Sequence, residues 1–317
     1  MITMVLLNQI IVMFLLMGVG IVLYRKKLLS EQGAKDLGAI LIKVIIPCVI
    51  IKSYFIKFSI EKLEELAISG GLSLLSLLIA MAVAGFIYKK NKKIENFAAS
   101  FSNAGFIGIP LVQAAFGDSA VFYIASYIAL LNLFQWTYGV FIITENRDAI
   151  KLKKIICNPV FISLIVGIGI FVLNIPIPET IKRTVGFIAG MNSPVAMIIL
   201  GVYLSKIEIK SIFTNKDIYF CVLLRVIIIP VITLFVFYFL PVDNMLIIMI
   251  ILIAACTPVG ANIVIFAQQY DKDYLLSLKT VCLSTVISII TIPLFFMLVQ
   301  IISVSYTHLR AHETELH

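Results

Sequence analysis

Two hydrophobic stretches of this chain contain polar and helix-breaking residues at equivalent places. Their sequences are Asn103-Ala-Gly-Phe-Ile-Gly-Ile-Pro110 and Thr257-Pro-Val-Gly-Ala-Asn262. A helix in lipid cannot leave backbone groups unpaired, so unwound segments at membrane depth persist only where protein buries them or a watery cavity solvates them. Broken helices at matching positions in two halves of a chain are typical of the solute site of a secondary transporter. The paired interruptions therefore predict a binding site for a small solute.

The interruptions carry groups suited to an anion. The amides of Asn103 and Asn262 offer donors and acceptors for a carboxylate or for freed backbone carbonyls; alternatively, they cap their own half-helices. Pro110 and Pro258 lack an N–H and are expected to break the helix, and Gly105 lets backbone approach a solute closely. For the hydroxyl groups, a bond to a preceding carbonyl of their own helix is the alternative. The candidate substrate-binding residues are Ser102, Asn103, Gly105, Pro110, Gln113, Arg225, Thr257, Pro258 and Asn262.

Three basic side chains also lie inside hydrophobic runs. Intramembrane ionisable groups are costly and rare, which makes each of them a candidate for function. Lys279 lies near the start of its run and is expected to extend to the surface. Arg225 lies deeper and either reaches the interface, binds the carbonyl ends of the second broken stretch, or faces the anion. A functional role for Lys43 stays open as well.

The groups that enzymes and proton relays commonly use are missing from the hydrophobic runs. No Asp or Glu lies deep in any of them, and the three histidines, His308, His312 and His317, are all in the terminal tail. The five cysteines are isolated and show neither a disulfide framework nor a zinc spacing. We therefore predict no enzyme, no cofactor and no metal site. The coupling ion, H⁺ or Na⁺, stays open, as does facilitated exchange.

The composition predicts a polytopic membrane protein. Of the 317 residues, 61% are hydrophobic and 13% are charged. Runs of about 18 or more apolar residues suffice to cross a bilayer as helices. Ten such runs are expected: 4–23, 34–51, 66–88, 97–116, 120–143, 155–173, 184–204, 218–240, 245–269 and 274–302. The first is not a cleaved signal peptide, because nothing basic precedes it and no small-residue cleavage site follows.

Lysines and arginines indicate the orientation. Loops after odd-numbered runs hold sixteen of the 25, and loops after even-numbered runs hold five. Because cytoplasmic loops are the basic ones, both termini should lie outside the cytoplasm of a plasma (inner) membrane. The net charge of +8 is then a topology signal with affinity for the lipid bilayer, and no nucleic-acid partner is expected. A homodimer stays open.

The chain matches itself at an offset near 150 residues. Gly18-Val-Gly-Ile-Val-Leu23 is similar to Gly167-Ile-Gly-Ile-Phe-Val-Leu173, and Pro47 falls opposite Pro194. Because five is an odd number of membrane crossings, the second half would have the opposite orientation in the membrane to the first. We therefore predict an all-α fold of ten transmembrane helices in a 5+5 inverted repeat, with helices four and nine broken and crossed. The expected segments are the first repeat 1–147, a cytoplasmic linker 148–153, the second repeat 154–302, and a tail 303–317 that looks like a cloning or assembly scar.

Several motifs together resemble the auxin efflux carrier family, which includes bacterial carriers of malate and other carboxylates. The motifs are the interruption beginning at Ser102, the segment from Thr257 to Tyr270, Ala196-Met-Ile-Ile-Leu-Gly-Val-Tyr-Leu204, Arg225 followed by Pro230, and Val44-Ile-Ile-Pro47. The resemblance implies a carboxylate held between crossed helices four and nine. It also implies elevator-like movement of helices 3 to 5 and 8 to 10 against a scaffold of 1, 2, 6 and 7.

Two departures limit this resemblance. The linker between the halves is short, which argues against phosphorylation control and against auxin itself, and the third helix has no evident counterpart of the buried acid found in some members. The predicted function is a permease for a small organic anion. The alternatives are a sodium-coupled carrier of the bile-acid type and a membrane sensor that does not transport.

Overall fold

The computed structural model describes residues 2–89, 92–207 and 216–314, and every regular element in that part is helical. Six helices are long and apolar enough to cross a membrane: Ile2–Arg25, Ile60–Tyr88, Asp118–Thr144, Glu179–Ser205, Lys216–Tyr238 and Tyr274–Gln300. The pair Arg147–Ile156 and Pro159–Val172 is bent by 42° and makes a seventh if it forms one span. The chain is thus an all-α, polytopic membrane protein.

We number the α-helices in chain order and name the π-helical segments by their residues. The α-helices are α1 (Ile2–Arg25), α2 (Glu31–Ile40), α3 (Ile46–Ser53), α4 (Ile60–Tyr88), α5 (Lys93–Ser100), α6 (Ile109–Phe116), α7 (Val121–Phe134), α8 (Val140–Thr144), α9 (Leu152–Ile156), α10 (Pro159–Val172), α11 (Glu179–Gly190), α12 (Asn192–Ser205), α13 (Lys216–Leu223), α14 (Ile229–Tyr238), α15 (Met245–Cys256), α16 (Asn262–Gln269) and α17 (Tyr274–Thr314). The π-helical segments are Leu41–Ile45, Ala104–Gly108, Gln135–Gly139 and Leu224–Ile228.

Each of the ten predicted runs overlaps a helix, but the fourth and ninth are not continuous. Their longer parts, Ala104–Phe116 and Met245–Cys256, are short apolar helices. At about 1.5 Å per residue, each covers less than 20 Å of a hydrocarbon core of roughly 30 Å. Both runs therefore need their second half-helix, α5 or α16, to reach across. The last predicted segment is helical to Thr314, and residues 315–317 lie outside the described residues.

Three of the π-helical segments directly precede an Ile-Pro pair. The combinations are Leu41–Ile45 with Pro47, Ala104–Gly108 with Pro110, and Leu224–Ile228 with Pro230. In each, the isoleucine before the proline donates its N–H to the carbonyl five residues back. A proline ring clashes with the carbonyl four residues back, and the wider turn relieves that clash. The prediction that Pro110 breaks its helix is therefore wrong, because the helix widens before the proline and continues through it.

Helices α1 and α12 approach so closely that only glycine fits between them. A Cβ atom added at Gly20 would lie 2.2 Å from the carbonyl oxygen of Ile198, and one added at Gly201 would lie 2.1 Å from that of Met17. Small residues at such a crossing let two backbones pack directly, which is a main source of helix association in lipid. The two glycines thus hold the first and seventh runs together.

This packing predicts that Gly20→Ala and Gly201→Ala each destabilise the protein by about 1–3 kcal/mol, the usual cost of overpacking. Thermal unfolding of the detergent-solubilised protein measures the effect. Gly18→Ala is the matched control, because a Cβ atom there would meet nothing within 4 Å. Equal melting temperatures for the Gly18 and Gly20 variants would contradict this account of the packing.

Candidate substrate site at two broken helices

The two broken segments pair with each other through their backbones. Helix α5 ends at Ser100 and α15 ends at Cys256, and the chain after each is extended. The N–H of Asn103 donates to the carbonyl of Pro258 at 2.8 Å, and the N–H of Gly260 donates to the carbonyl of Phe101 at 3.0 Å. Together these bonds form an antiparallel bridge between Ser102 and Val259. Each break therefore satisfies backbone groups that the other leaves exposed, as an apolar solvent requires.

The first break lies earlier than the sequence suggested. The non-helical residues are 101–103, whereas Gly105 and Gly108 belong to the π-helical segment and Pro110 to α6. In the second break, Pro258 does lie in unwound chain and Asn262 begins α16. Gly260 allows the close approach, because a Cβ atom there would lie 2.9 Å from the carbonyl oxygen of Ser102.

Arg225 binds the carbonyl ends of both broken helices. Its side chain is fully buried at 0% exposure. Nη1 donates to the carbonyl of Ala99 at 3.1 Å, Nε donates to that of Thr257 at 3.3 Å, and Nη2 donates to that of Ala255. These carbonyls lie at the C-terminal ends of α5 and α15, where helices carry partial negative charge. Of the three alternatives from sequence, the structure shows binding to helix ends, so Arg225 positions the crossing.

The hydroxyl groups of the breaks are engaged within the protein. Thr257 Oγ1 donates to the carbonyl of Ala254 at 2.8 Å, the local bond expected for a lone hydroxyl. Ser102 Oγ donates to the hydroxyl of Tyr127 at 3.2 Å. The N–H of Val259 donates to Ser284 Oγ at 3.1 Å. These contacts hold the crossing in place and leave the two asparagines as the main polar groups beside it.

Neither asparagine caps its half-helix through its side chain. Asn103 is 4% exposed, and its Nδ2 is buried without a hydrogen-bond partner. Asn262 Nδ2 donates to Gln135 Oε1 at 2.9 Å. Both asparagines line a small cavity of ≈ 30 Å³, together with Asn132. A buried donor without a partner is costly, so the Asn103 amide marks a place where a polar ligand or water fits.

A larger cavity of ≈ 660 Å³ adjoins the small one. Its lining includes Asn262, Asn132 and Ile42, which also line the small cavity. Four lysines line it as well: Lys43 and three that we call the linker lysines, namely Lys151 and Lys153 in the linker and Lys154 directly after it. No Asp or Glu is among its described lining residues. The volume is within the range of small-molecule sites.

The four lysines of the larger cavity have no acidic partner among the described residues, whose ion pairs all involve other lysines. Lys154 Nζ lies 5.3 Å from the centre of the Trp136 ring, which is also part of the lining. The cavity is therefore a basic chamber that narrows to the crossing of the two breaks.

Gln113 does not lie at the crossing. Its Nε2 donates to Asp118 Oδ1 at 2.9 Å, and Asp118 pairs with Lys52 Nζ at 2.7 Å. These three residues line a separate cavity of ≈ 190 Å³. Ten residues of helix separate Gln113 from Asn103, about 15 Å along the axis, which accounts for the difference from the sequence-based expectation.

Comparison with known proteins agrees with this architecture. A family model described as "Membrane transport protein", that of the auxin efflux carriers, matches residues 5–296, nearly the whole chain. The chain belongs to the auxin efflux carrier family. Its members are membrane transport proteins, so the chain is a transporter and not an enzyme.

Two proteins that are similar to this chain have names that describe them as transporters. A Rhizobium meliloti (strain 1021) protein named "Putative malonate transporter" is 20% identical over 216 residues, which is 65% of this chain and 67% of that protein. An "Uncharacterized transporter" of Methanothermobacter thermautotrophicus is 21% identical over 287 residues, which is 87% of this chain and 92% of that protein. The family resemblance inferred from the motifs is thus confirmed.

Some residues of the site could not be identified from the sequence. Gln135 lies in an otherwise apolar run, with no motif around it, yet it holds the amide of Asn262. The linker lysines fit the basic-loop rule and were interpreted as a topology signal alone. The structure shows that they also line the cavity that adjoins the crossing.

The geometry predicts that Arg225→Leu unfolds or severely destabilises the protein, because three buried carbonyls lose a charged donor at about 1.5–3 kcal/mol each. Arg225→Lys should recover part of this loss, since an ammonium group lacks the planar fork that reaches separate carbonyls. Melting temperature and gel-filtration profile in detergent report the effect, with Lys279→Gln as control. A folded Arg225→Leu protein that has only lost anion binding would instead indicate that Arg225 contacts the substrate.

Proposed function

We propose that the chain is a secondary transporter of a small organic anion, a carboxylate, which binds where the basic chamber meets the crossing of the two breaks. The observation that carries this proposal is that the two cavities share Asn262 in their linings. Among the described residues, four lysines without an acidic partner line the larger cavity, and the unpartnered amide of Asn103 lines the smaller one. The Rhizobium meliloti relative, named for malonate, supports a carboxylate.

The charge of the chamber supports an anion specifically. Four ammonium groups without carboxylate partners create a positive potential that concentrates anions and rejects cations. Low-dielectric walls strengthen that potential, and salt screens it over about 8–10 Å. A solute with one or two carboxylates would supply the negative charge that the protein itself does not provide.

The helix ends at the crossing divide into two groups of opposite polarity. The C-terminal ends of α5 and α15 are occupied by Arg225, as described above. The half-helices that begin after the breaks, at Ala104 and Asn262, start at the crossing with their positive ends. N-terminal half-helix ends that point at a carboxylate are a recurrent feature of transporters with broken helices. The asparagine amides would then add the directional hydrogen bonds.

The remaining features of the transporter are part of the same proposal. We infer ten spans in a 5+5 inverted repeat, with the halves 1–147 and 154–302 joined by linker 148–153. Spans 3 to 5 and 8 to 10, which include the two broken ones, would move as a unit against spans 1, 2, 6 and 7 in an elevator-like cycle. The protein would lie in a plasma membrane with both termini outside the cytoplasm, so that the chamber opens on the cytoplasmic side. A homodimer is compatible with this arrangement.

Uptake into proteoliposomes tests the site. We expect the wild-type protein to take up labelled malonate or a related carboxylate. Asn103→Ala and Asn262→Ala should each lower uptake about tenfold or more, because each removes a hydrogen bond to a charged group. Asn8→Ala, at an exposed position on α1, is the matched control.

The same assay separates the alternatives. Wild-type rates in both variants would refute the assigned site. Thermal stabilisation by a carboxylate without any flux would indicate a sensor on the same fold. Strict dependence of uptake on sodium would favour a carrier of the bile-acid type.

The basic chamber yields a second prediction. Replacing the three linker lysines by glutamine should raise the KM for malonate about tenfold at low salt, and the difference from wild type should shrink as salt screens the charges. Cys157 lines the same chamber and is exposed. Its reaction with a negatively charged thiol reagent should therefore slow in the variant.

The matched control removes the same charge from other exposed loop positions, namely Lys26, Lys27 and Lys272. This control should behave like wild type in both assays. If the two triple variants raise the KM equally, the effect comes from net charge alone and the chamber is not part of the anion site.

A further inference from the structure

Helix α5 buries a carboxylate that the transport site does not use. Glu95 lies in the first turn of α5 and is 7% exposed. The other aspartates and glutamates whose burial the structure describes, all between Glu31 and Asp273, are exposed or half-buried. The hydrophobic run predicted from sequence begins two residues later, at residue 97, so no sequence pattern predicts that Glu95 lies inside the protein.

In the part of the chain that the structure describes, the carboxylate of Glu95 forms no salt bridge. Among residues 2–89, 92–207 and 216–314, no other residue forms a hydrogen bond or ion pair with its side-chain oxygens. The neighbouring lysines are engaged elsewhere, Lys92 with Asp217 at 2.6 Å and Lys93 with Glu145 at 2.7 Å. Burying an unpaired carboxylate is costly, and protonation removes that cost.

Groups of both charges lie within electrostatic reach of Glu95, one lysine and two aspartates. Cys221 Sγ donates to the backbone carbonyl of Glu95 at 3.5 Å, and the carboxylate accepts from the backbone N–H of Glu95 itself. The hydroxyl of Tyr88, within electrostatic reach, is buried and has no hydrogen-bond partner. The titratable and charged groups that face Glu95 are Tyr88 from α4, Lys92 beside α5, Asp217 and Cys221 from α13, and Asp273 before α17. Lys92 is the one cation of this set, and Asp217 already holds it.

We propose that Glu95 is a proton-binding site of the transport cycle and that the organic anion moves together with a proton carried on this carboxylate. The step needs no other reactant. A side-chain oxygen of Glu95 takes a proton from water on one side of the membrane, and the neutral acid later returns it to water on the other. This inference rests on the proposed function, because it assigns a coupling ion to that transporter.

The position of Glu95 explains how a proton and an anion would be coupled. Glu95 lies in the same broken helix as Asn103, in the first turn of α5, and α5 ends at Ser100, about 7.5 Å further along the axis. Arg225 ties the end of α5 to the end of α15, so the carboxylate and the crossing belong to one connected element. If Glu95 were ionised, moving that element through a low-dielectric region would carry the additional free-energy cost of an uncompensated charge. A protonated Glu95 would not, so movement would favour the protonated form.

The experiment is uptake of labelled malonate, and of a panel of mono- and dicarboxylates, into proteoliposomes with and without an imposed pH gradient, acid outside. We expect the gradient to raise accumulation in wild type, by at most about tenfold per pH unit for one proton per anion. Glu95→Gln should still take up the anion but should not respond to the gradient. Glu64→Gln, which alters an exposed acid, should behave like wild type.

The outcomes separate this inference from the proposed function. If wild type takes up no carboxylate, the proposed function fails and the coupling inference fails with it. If wild type takes up the anion without a response to the gradient, or if Glu95→Gln responds as wild type does, the transporter stands and the proton site is overturned.

A second measurement applies if Glu95→Gln does not fold. Dicyclohexylcarbodiimide, an apolar reagent that modifies protonated carboxyl groups, should label Glu95 in the wild-type protein faster at pH 6 than at pH 8. It should also abolish the response to the gradient, with the label located by mass spectrometry. Loss of the response without label at Glu95, or no label at either pH, overturns the proposal.

Discussion

Every backbone N–H and C=O in the interior of a membrane protein needs a partner, and the broken helices of this chain meet that requirement by pairing with each other. The bridge between Ser102 and Val259 uses the extended residues of both breaks as a minimal two-stranded ladder. Neither segment could supply those partners alone, because lipid offers none. The breaks must therefore occur together and in contact, and this dependence turns two interruptions of the sequence into one site.

Arg225 provides further hydrogen-bond partners for the backbone carbonyls at the breaks, and its position also determines which helix ends stay available at the site. A guanidinium cannot be deprotonated in proteins and presents several donors in a fixed plane. It can therefore bind carbonyls from two helices that approach from different directions, as it does with Ala99 and Ala255. Because the negative ends of α5 and α15 are occupied in this way, the ends that stay available at the crossing are the positive ones. A buried cation thus makes the other side of the crossing suitable for an anion.

Sequence reasoning located the hydrophobic runs, both interruptions and the family, because each of these depends on residue type along a short stretch. It misplaced the first break by a few residues, since a π-helical turn can absorb Pro110 and this adjustment leaves no mark in composition. It placed Gln113 at the crossing, since distance along a helix axis is not visible in a list of polar residues. Gln135 and Glu95 were missed because their roles depend on contacts between elements distant in sequence. Arg225 was recognised as unusual, but only the geometry decided among its three roles.

The linker between the halves shows why topology and substrate electrostatics are not independent in such a fold. Lysines in this loop are favoured by the rule that places basic loops in the cytoplasm. In the structure this loop lies close to the crossing, because its lysines line the same cavity as Asn262. The linker lysines are therefore held beside the chamber by the connection itself, with Lys154 over the ring of Trp136. A shorter linker confines these charges more closely, whereas a long one would release them into solvent, where salt screens them. If the chamber binds the anion as proposed, the short linker would strengthen that binding.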